Sequence, residues 1–157
     1  MLESKFVEKV IEFNNLAGNT GELNNKLVSL YIGLVAEEFA ELLEASNGEA
    51  HLINIIKTAS TNYKKYEGEF RVSLDNALLN KDNRIEILDG CVDIAVVALG
   101  CGIANGCEII GACEEVANNN LEKFPIIDGE RVVLKDENGK IKKPSNYQSV
   151  NLEKFVK

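Results

Sequence analysis

The stretch Ile85-Glu-Ile-Leu-Asp-Gly-Cys-Val-Asp-Ile-Ala-Val-Val-Ala-Leu-Gly100 decides the reading of this chain. It is helical in pattern and apolar nearly all round, yet Glu86, Asp89 and Asp93 recur at i, i+3 and i+7, so they form one acidic stripe. An earlier stretch, Gly33-Leu-Val-Ala-Glu-Glu-Phe-Ala-Glu-Leu-Leu-Glu44, repeats the theme, with Glu38 and Glu41 one turn apart. Facing each other, two such helices bring four carboxylates to one point. Like charges held so close repel unless something positive lies between them. An oxygen-seeking divalent cation, Mg2+ or Mn2+, is the natural counter-charge.

A solvated face with ion-pair support is the ordinary reading of a Glu-Glu-x-x-Glu run. The second helix weighs against it. Acids in apolar helices are seldom left without a partner, and the helix carries only Arg84, at its start.

Working outward, the 157 residues fit one domain, with a core over 22–124 and a C-terminal appendage over 125–157. The net charge of −8 argues against general attraction to nucleic acid or an anionic membrane surface. Ile94 to Ile103 is apolar, but Asp93 interrupts it and Asn105-Gly106 ends it, so no run is expected to span a bilayer. The N-terminus lacks the form of a signal peptide. A soluble cytoplasmic protein is expected.

The cysteines Cys91, Cys101, Cys107 and Cys113 form no Cys-x-x-Cys pair, and His51 is the single histidine. Reduced, buried thiols fit better than structural zinc.

Both prolines, Pro125 and Pro144, come late, which leaves 1–124 free to be nearly all helix. Helical spacing predicts helices over about 3–16, 22–45, 49–68, 84–104 and 107–123, with a short helix and a loop over 70–83. Asn19 or Thr20 is the expected cap of the second helix, and Asn83 of the helix over 84–104. The stretch Gly129 to Lys142 alternates like a strand around Glu137-Asn-Gly139, as a small hairpin does. The fold class is all-α, a bundle of four or five helices with an irregular tail. Its helices are apolar on more than one side, which calls for a homodimer or a homotetramer.

On the buried side of the last helix lies Asn120, followed by Lys123. They read either as a frayed helix end with a dipole-compensating lysine or as an amide and an ammonium aimed at a nucleotide.

At this point the chain resembles the all-α nucleoside triphosphate pyrophosphohydrolases: MazG-like proteins, dimeric dUTPases and phosphoribosyl-ATP pyrophosphohydrolases. The family's Glu-Glu-x-x-Glu and Glu-x-x-Asp motifs are matched by Glu37-Glu38-Phe-Ala-Glu41 and Glu86-Ile-Leu-Asp89. Its Ser-Asn-Met-Ser-Lys-Phe-like segment is matched by Asn119-Asn-Leu-Glu-Lys-Phe124, and a basic tail ending in Pro-Asn-Tyr by Gly139-Lys-Ile-Lys-Lys-Pro-Ser-Asn-Tyr147. The likeness covers roughly 22–152. It departs at Asn119, where serine is usual, and over Lys26 to Leu34, which lacks the arginine many relatives carry. The length and tail are similar to members found in phages.

The resemblance implies hydrolysis of a (d)NTP to the monophosphate and pyrophosphate with Mg2+ or Mn2+. In it, Glu38, Glu41, Glu86 and Asp89 hold the metal, and Glu37 orients or deprotonates the attacking water. Asp93 orients a ligand or meets the sugar, Lys123 takes phosphate, and Asn120 takes sugar or base. Lys140, Lys143 and Tyr147 close over the nucleotide. The rival readings are phosphoribosyl-ATP hydrolysis in histidine synthesis and a non-catalytic helical interaction module. A di-iron bundle normally needs Glu-x-x-His pairs, which the chain lacks.

Overall fold

The computed structural model describes residues 5–136 and 141–156, and over them the chain is all-α, as its pattern predicts. Six helices follow in order: α1 (Lys5–Leu16), α2 (Asn25–Ala45), α3 (Ala50–Lys65), α4 (Gly68–Leu79), α5 (Lys81–Ala104) and α6 (Ile109–Leu121). The chain divides into two compact units, one spanning Glu22–Cys91 and the other formed by the residues up to Gly21 and from Val92 onward. The division falls inside α5.

In the first unit α2 and α3 pack as an antiparallel hairpin. Their approach is close because the contact is lined by small residues. Gly33, Ala40 and Ser29 of α2 are buried, as are Ser60 and Ile53 of α3. The two serines do not leave their hydroxyls unpaired: Ser60 Oγ donates to Gly33 O at 2.8 Å and Ser29 Oγ to Tyr63 O at 2.6 Å. Hydrogen bonds of this kind offset the cost of burying a hydroxyl.

The segment over 70–83 is more regular than its pattern predicts, since it belongs to α4 and the start of α5. Leu74 and Leu78 of α4 are buried, one turn apart. The α3–α4 turn is held by Tyr66, whose backbone is left-handed at φ 52°. Its hydroxyl donates to Asp75 Oδ1, and Asn25 Nδ2 at the start of α2 donates to the same oxygen at 2.8 Å. The Tyr66 hydrogen bond, and then that from Asn25, hold the Asp75 carboxyl below its ordinary range; the same contact raises the Tyr66 phenol.

Three boundaries differ from expectation. The cap of α2 is Asn24, whose side chain accepts from Leu27 N at 3.1 Å, not Asn19 or Thr20. Asn80 opens α5, accepting from Asp82 N at 2.9 Å, so Asn83 lies inside the helix. And α5 runs unbroken through Asp93 for 24 residues, long and apolar enough by length and composition to cross a membrane. That corrects the expectation that no apolar run in the chain reaches such a length.

In the second unit α1 packs on α6 around Ala117, Leu121 and Phe124, with the Phe13 and Phe124 rings 5.5 Å apart. Arg131 Nη1 donates to Leu121 O at 2.8 Å, satisfying a carbonyl at the end of α6, and its Nε lies 3.2 Å from Glu12 Oε1. A two-strand hairpin, β1 (Ile126–Ile127) and β2 (Glu130–Arg131), turns at Asp128-Gly129, both at positive φ. The hairpin expected around Glu137-Asn-Gly139 has its arms joined by a Lys135–Ile141 bridge and by Lys142 N donating to Leu134 O at 2.7 Å. Its turn lies outside the described residues.

From there the tail follows α6. Glu108 N donates to Phe155 O at 2.8 Å, and Lys154 Nζ pairs with Glu115 at 3.1 Å. All four cysteines are free, but Cys91 is exposed and the other three are half-buried, which corrects the expectation of buried thiols.

Candidate functional site

The five acids of α2 and α5 singled out with Glu37 divide from it by their surroundings. Glu37 Oε1 is paired with Lys64 Nζ of α3 at 2.7 Å, and Glu44 Oε1 with Lys57 Nζ at 2.6 Å. These two glutamates flank the α2–α3 contact. Glu38 and Glu41 lie toward the other side of α2, where Val35, Phe39 and Leu42 are also exposed. The i, i+3, i+4, i+7 spacing of Val35, Glu38, Phe39 and Leu42 gathers them on one face. Neither Glu38 nor Glu41 has a lysine or arginine beside its carboxylate among the described residues.

Glu86, Asp89 and Asp93 are likewise exposed and without a described cationic neighbour. Beside them runs a second stripe, Ile85, Leu88, Val92, Val96, Leu99 and Ile103, at spacings of three and four residues. All six of these side chains are exposed. The rest of α5 is nearly as apolar, which is why periodicity alone left this stripe hidden.

The expected convergence is not formed within one chain. Within the Glu22–Cys91 unit, the start of α5 that carries Glu86 and Asp89 makes no contact with α2. Among the described residues no group of three or more His, Cys, Asp or Glu side chains gathers as a metal site would. The four oxygen donors suit Mg2+ or Mn2+ in chemical type, but one chain presents them as two separate pairs.

The candidates for the nucleotide fall in the second unit with Asp93. Lys123 Nζ donates to Asn120 Oδ1 at 2.7 Å and lies 5.4 Å from the centre of the Phe13 ring. Tyr147 is engaged with the neighbouring residue of α6: its hydroxyl donates to Asn119 Oδ1 at 2.6 Å, while Asn119 Nδ2 donates to Gln148 O at 2.7 Å. Burial, and then Glu122, push the Tyr147 phenol up. Lys143 Nζ stands 4.8 Å over the Tyr147 ring. Lys140 lies outside the described residues.

Sequence reasoning missed Lys64, whose ammonium claims Glu37, and it gave Asn119 no role beyond replacing a serine. Lys64-Lys65 ends α3 as basic residues commonly end helices, so its pattern marked a helix terminus and not a partner for Glu37. Comparison with protein-family models, with curated proteins and with solved structures finds no match to this chain.

Proposed function

We propose that the protein is a Mg2+- or Mn2+-dependent nucleoside triphosphate pyrophosphohydrolase, a soluble cytoplasmic enzyme of the nucleotide pool that converts a (d)NTP and water to the monophosphate and pyrophosphate. One observation carries the reading. Glu38, Glu41, Glu86 and Asp89 lack described counter-charges, whereas the adjacent Glu37 and Glu44 have them. Exposed carboxylates in two pairs, each one helical turn apart, offer the hard oxygen donors that a divalent cation takes.

The substrate bears about four negative charges and the protein has a net charge of −8. A bound divalent ion supplies the positive charge that neutralises the phosphates and stabilises the transition state. In this reading Glu38, Glu41, Glu86 and Asp89 hold that ion. Glu37, already held in place by Lys64, orients the attacking water. Lys123 takes phosphate and Asn120 takes sugar or base, starting from their hydrogen bond to each other. Asp93 orients a ligand or meets the sugar, and Tyr147 closes on the nucleotide with Lys140.

A panel of NTPs and dNTPs, with phosphoribosyl-ATP included, tests this with Mg2+ or Mn2+ present and pyrophosphate and monophosphate quantified. Metal-dependent release of pyrophosphate is the expected result, and the preferred nucleotide names the substrate. Turnover of phosphoribosyl-ATP alone assigns the chain to histidine synthesis. That the acids do not gather among the described residues favours a second reading, a non-catalytic helical interaction module. That reading predicts no release from any nucleotide and no rise in melting temperature with Mn2+.

A further inference from the structure

We propose that the C-terminal segment 144–156 is a strap with two unequal fastenings on α6, anchored at Phe155 and latched at Tyr147, and that the latch competes with the nucleotide for Tyr147. Strap and helix belong to the same compact unit. The competition rests on reading Tyr147, with Asn120 and Lys123, as nucleotide contacts. The strap itself does not.

The strap follows one row of α6. Gly111, Glu115 and Asn119 recur four residues apart, so they share a face. They meet Phe155, Lys154 and Tyr147, which come in reverse order along the tail. Every residue from 144 to 156 is half-buried or exposed. A segment with so little buried surface opens at a small fraction of the cost of global unfolding.

The Phe155 end is the firmer. Its ring lies on Gly111, where a Cβ would stand 2.5 Å from the ring's Cε1. Glycine weakens a helix, and at this position it makes room for the ring. Glu108 N donates to Phe155 O at 2.8 Å, Val156 bridges to Cys107, and Lys154 Nζ reaches Glu115 at 3.1 Å. The tail is also shaped there. Glu153–Phe155 form a turn of 3-10 helix, and Glu153 N donates to Asn151 Oδ1 at 2.9 Å.

At the other end the fastening is one side chain. The Asn119 amide accepts from the Tyr147 hydroxyl at 2.6 Å and donates to Gln148 O at 2.7 Å. One amide makes both bonds, so they are lost together. Ser149, Asn151 and Leu152, between the two fastenings, are exposed. Opening the latch therefore leaves an arm tethered at Phe155, and the tether keeps Tyr147 at high effective concentration.

The Tyr147 hydroxyl has one proton and cannot give it to Asn119 and to a nucleotide at once. Closure on substrate first breaks the latch, so the apparent affinity for nucleotide is reduced by the share of straps that are latched. For a hydrogen bond of ordinary net strength, freeing the latch raises that affinity roughly two- to tenfold. Losing the anchor acts the other way, because the arm is no longer held near the site.

Asn119→Ala and Phe155→Ala, measured beside the wild type, test this. Amide hydrogen exchange reads the strap, circular dichroism and thermal melting verify the helices, and kcat and KM are taken for the fastest-reacting nucleotide of an NTP and dNTP panel. In Asn119→Ala, exchange is expected to quicken at Tyr147 and to stay slow at Phe155 and Val156. Its KM is expected to fall roughly two- to tenfold at unchanged kcat. In Phe155→Ala, exchange is expected to quicken at all three amides and KM to rise. Two variants that both loosen the tail then move KM in opposite directions, which a tail of purely structural use does not do.

Exchange that quickens equally at both ends in Asn119→Ala overturns the unequal fastening. A KM that rises or stays unchanged in Asn119→Ala overturns the competition. A KM that falls in both variants makes the tail a simple obstruction and overturns the tether. The expected exchange in a protein that turns over no nucleotide sinks the functional reading and with it the competition, and leaves the strap standing.

Discussion

Lys64 Nζ on α3 lies 2.7 Å from Glu37 Oε1, whereas Glu38, the next residue along α2, has no described cation beside it. Adjacent glutamates thus differ in what they give the fold, and the melting temperatures of their substitutions are expected to separate. Glu37→Gln breaks a partly exposed ion pair and lowers stability by about 0.2–1 kcal/mol. Glu38→Gln breaks none and leaves the melting temperature unchanged or higher, while metal-dependent pyrophosphate release is lost. Thermal melts of the two variants beside their turnover check both halves. A Glu38→Gln protein that keeps wild-type turnover removes Glu38 from the metal site.

Asp89→Asn is expected to act as Glu38→Gln does, keeping the fold and losing release. Asp89 is exposed and has no described ion pair to lose. Wild-type melting rises with Mn2+ by mass action on the folded state, and this rise is expected to vanish in Asp89→Asn. An equal Mn2+ response in the two proteins places the ion elsewhere.

Gly33 is a packing glycine, not a flexible one. A Cβ built there lies 2.6 Å from Lys64 Cγ and 2.9 Å from the backbone oxygen of Ser60. The lysine stem can yield, but the carbonyl belongs to the helix that Gly33 packs on. Gly33→Ala is expected to destabilise the Glu22–Cys91 unit by about 1–3 kcal/mol, as overpacking does, despite alanine's better helix propensity. Urea unfolding measures it, and an alanine variant as stable as wild type would contradict the close approach of α2 and α3.

How much of this was legible in the sequence depends on the kind of information each feature needs. Helix existence was plain, because apolar spacing is local. The α5 start was not: Asn80 and Asn83 are equally good caps by residue type, and the choice is made by where α4 ends. Asp128-Gly129 is a strong two-residue turn signal, but the expected hairpin was drawn around a later Asn-Gly. Which helix covers α2 was beyond reach, since periodicity shows that a face is apolar without naming its neighbour. Ser29 and Ser60 read as polar positions, yet they are buried because each hydroxyl finds a carbonyl across the interface. The acids of α2 and α5 were visible as pairs for the same local reason, whereas whether the pairs meet is a matter of packing, and among the described residues they do not gather.

The Asp75 carboxylate predicts an acid limb in the stability of the Glu22–Cys91 unit. Hydrogen bonds from Tyr66 and then Asn25 hold its folded pKa below the unfolded value. A depressed carboxyl contributes stability that is present above the unfolded pKa of about 3.9 and is lost as pH falls through the folded value. Tyr66→Phe removes the leading cause. The melting-temperature gap between wild type and Tyr66→Phe is therefore expected to be constant from neutral pH down to about 5 and to shrink below about 4. A gap that persists unchanged to pH 2 would assign the Tyr66 contribution to packing.

Tyr147 fastens the tail to α6 through Asn119, and this competes with the role of closing on a nucleotide. The hydroxyl donates to Asn119 Oδ1 at 2.6 Å, and the same amide donates back to Gln148 O at 2.7 Å. Tyr147→Phe keeps the ring under Lys143 and removes one donor, so a loss of about 0.5–1.5 kcal/mol is expected. If the hydroxyl serves only the latch, the variant's tail is cut faster by protease, while kcat and KM for the preferred nucleotide stay at wild-type values. If it also meets substrate, KM rises in Tyr147→Phe, whereas Asn119→Ala, which frees the hydroxyl, loosens the tail without the same rise. Alkali separates the latch further. Burial and Glu122 raise the phenol's pKa in the folded state, so its contribution is complete below about pH 10 and is lost as pH rises through the folded value. A tail that resists protease at pH 8 and is cut readily above pH 11 in wild type, but equally at both in Tyr147→Phe, is the signature of a phenol that holds the tail by donating its proton.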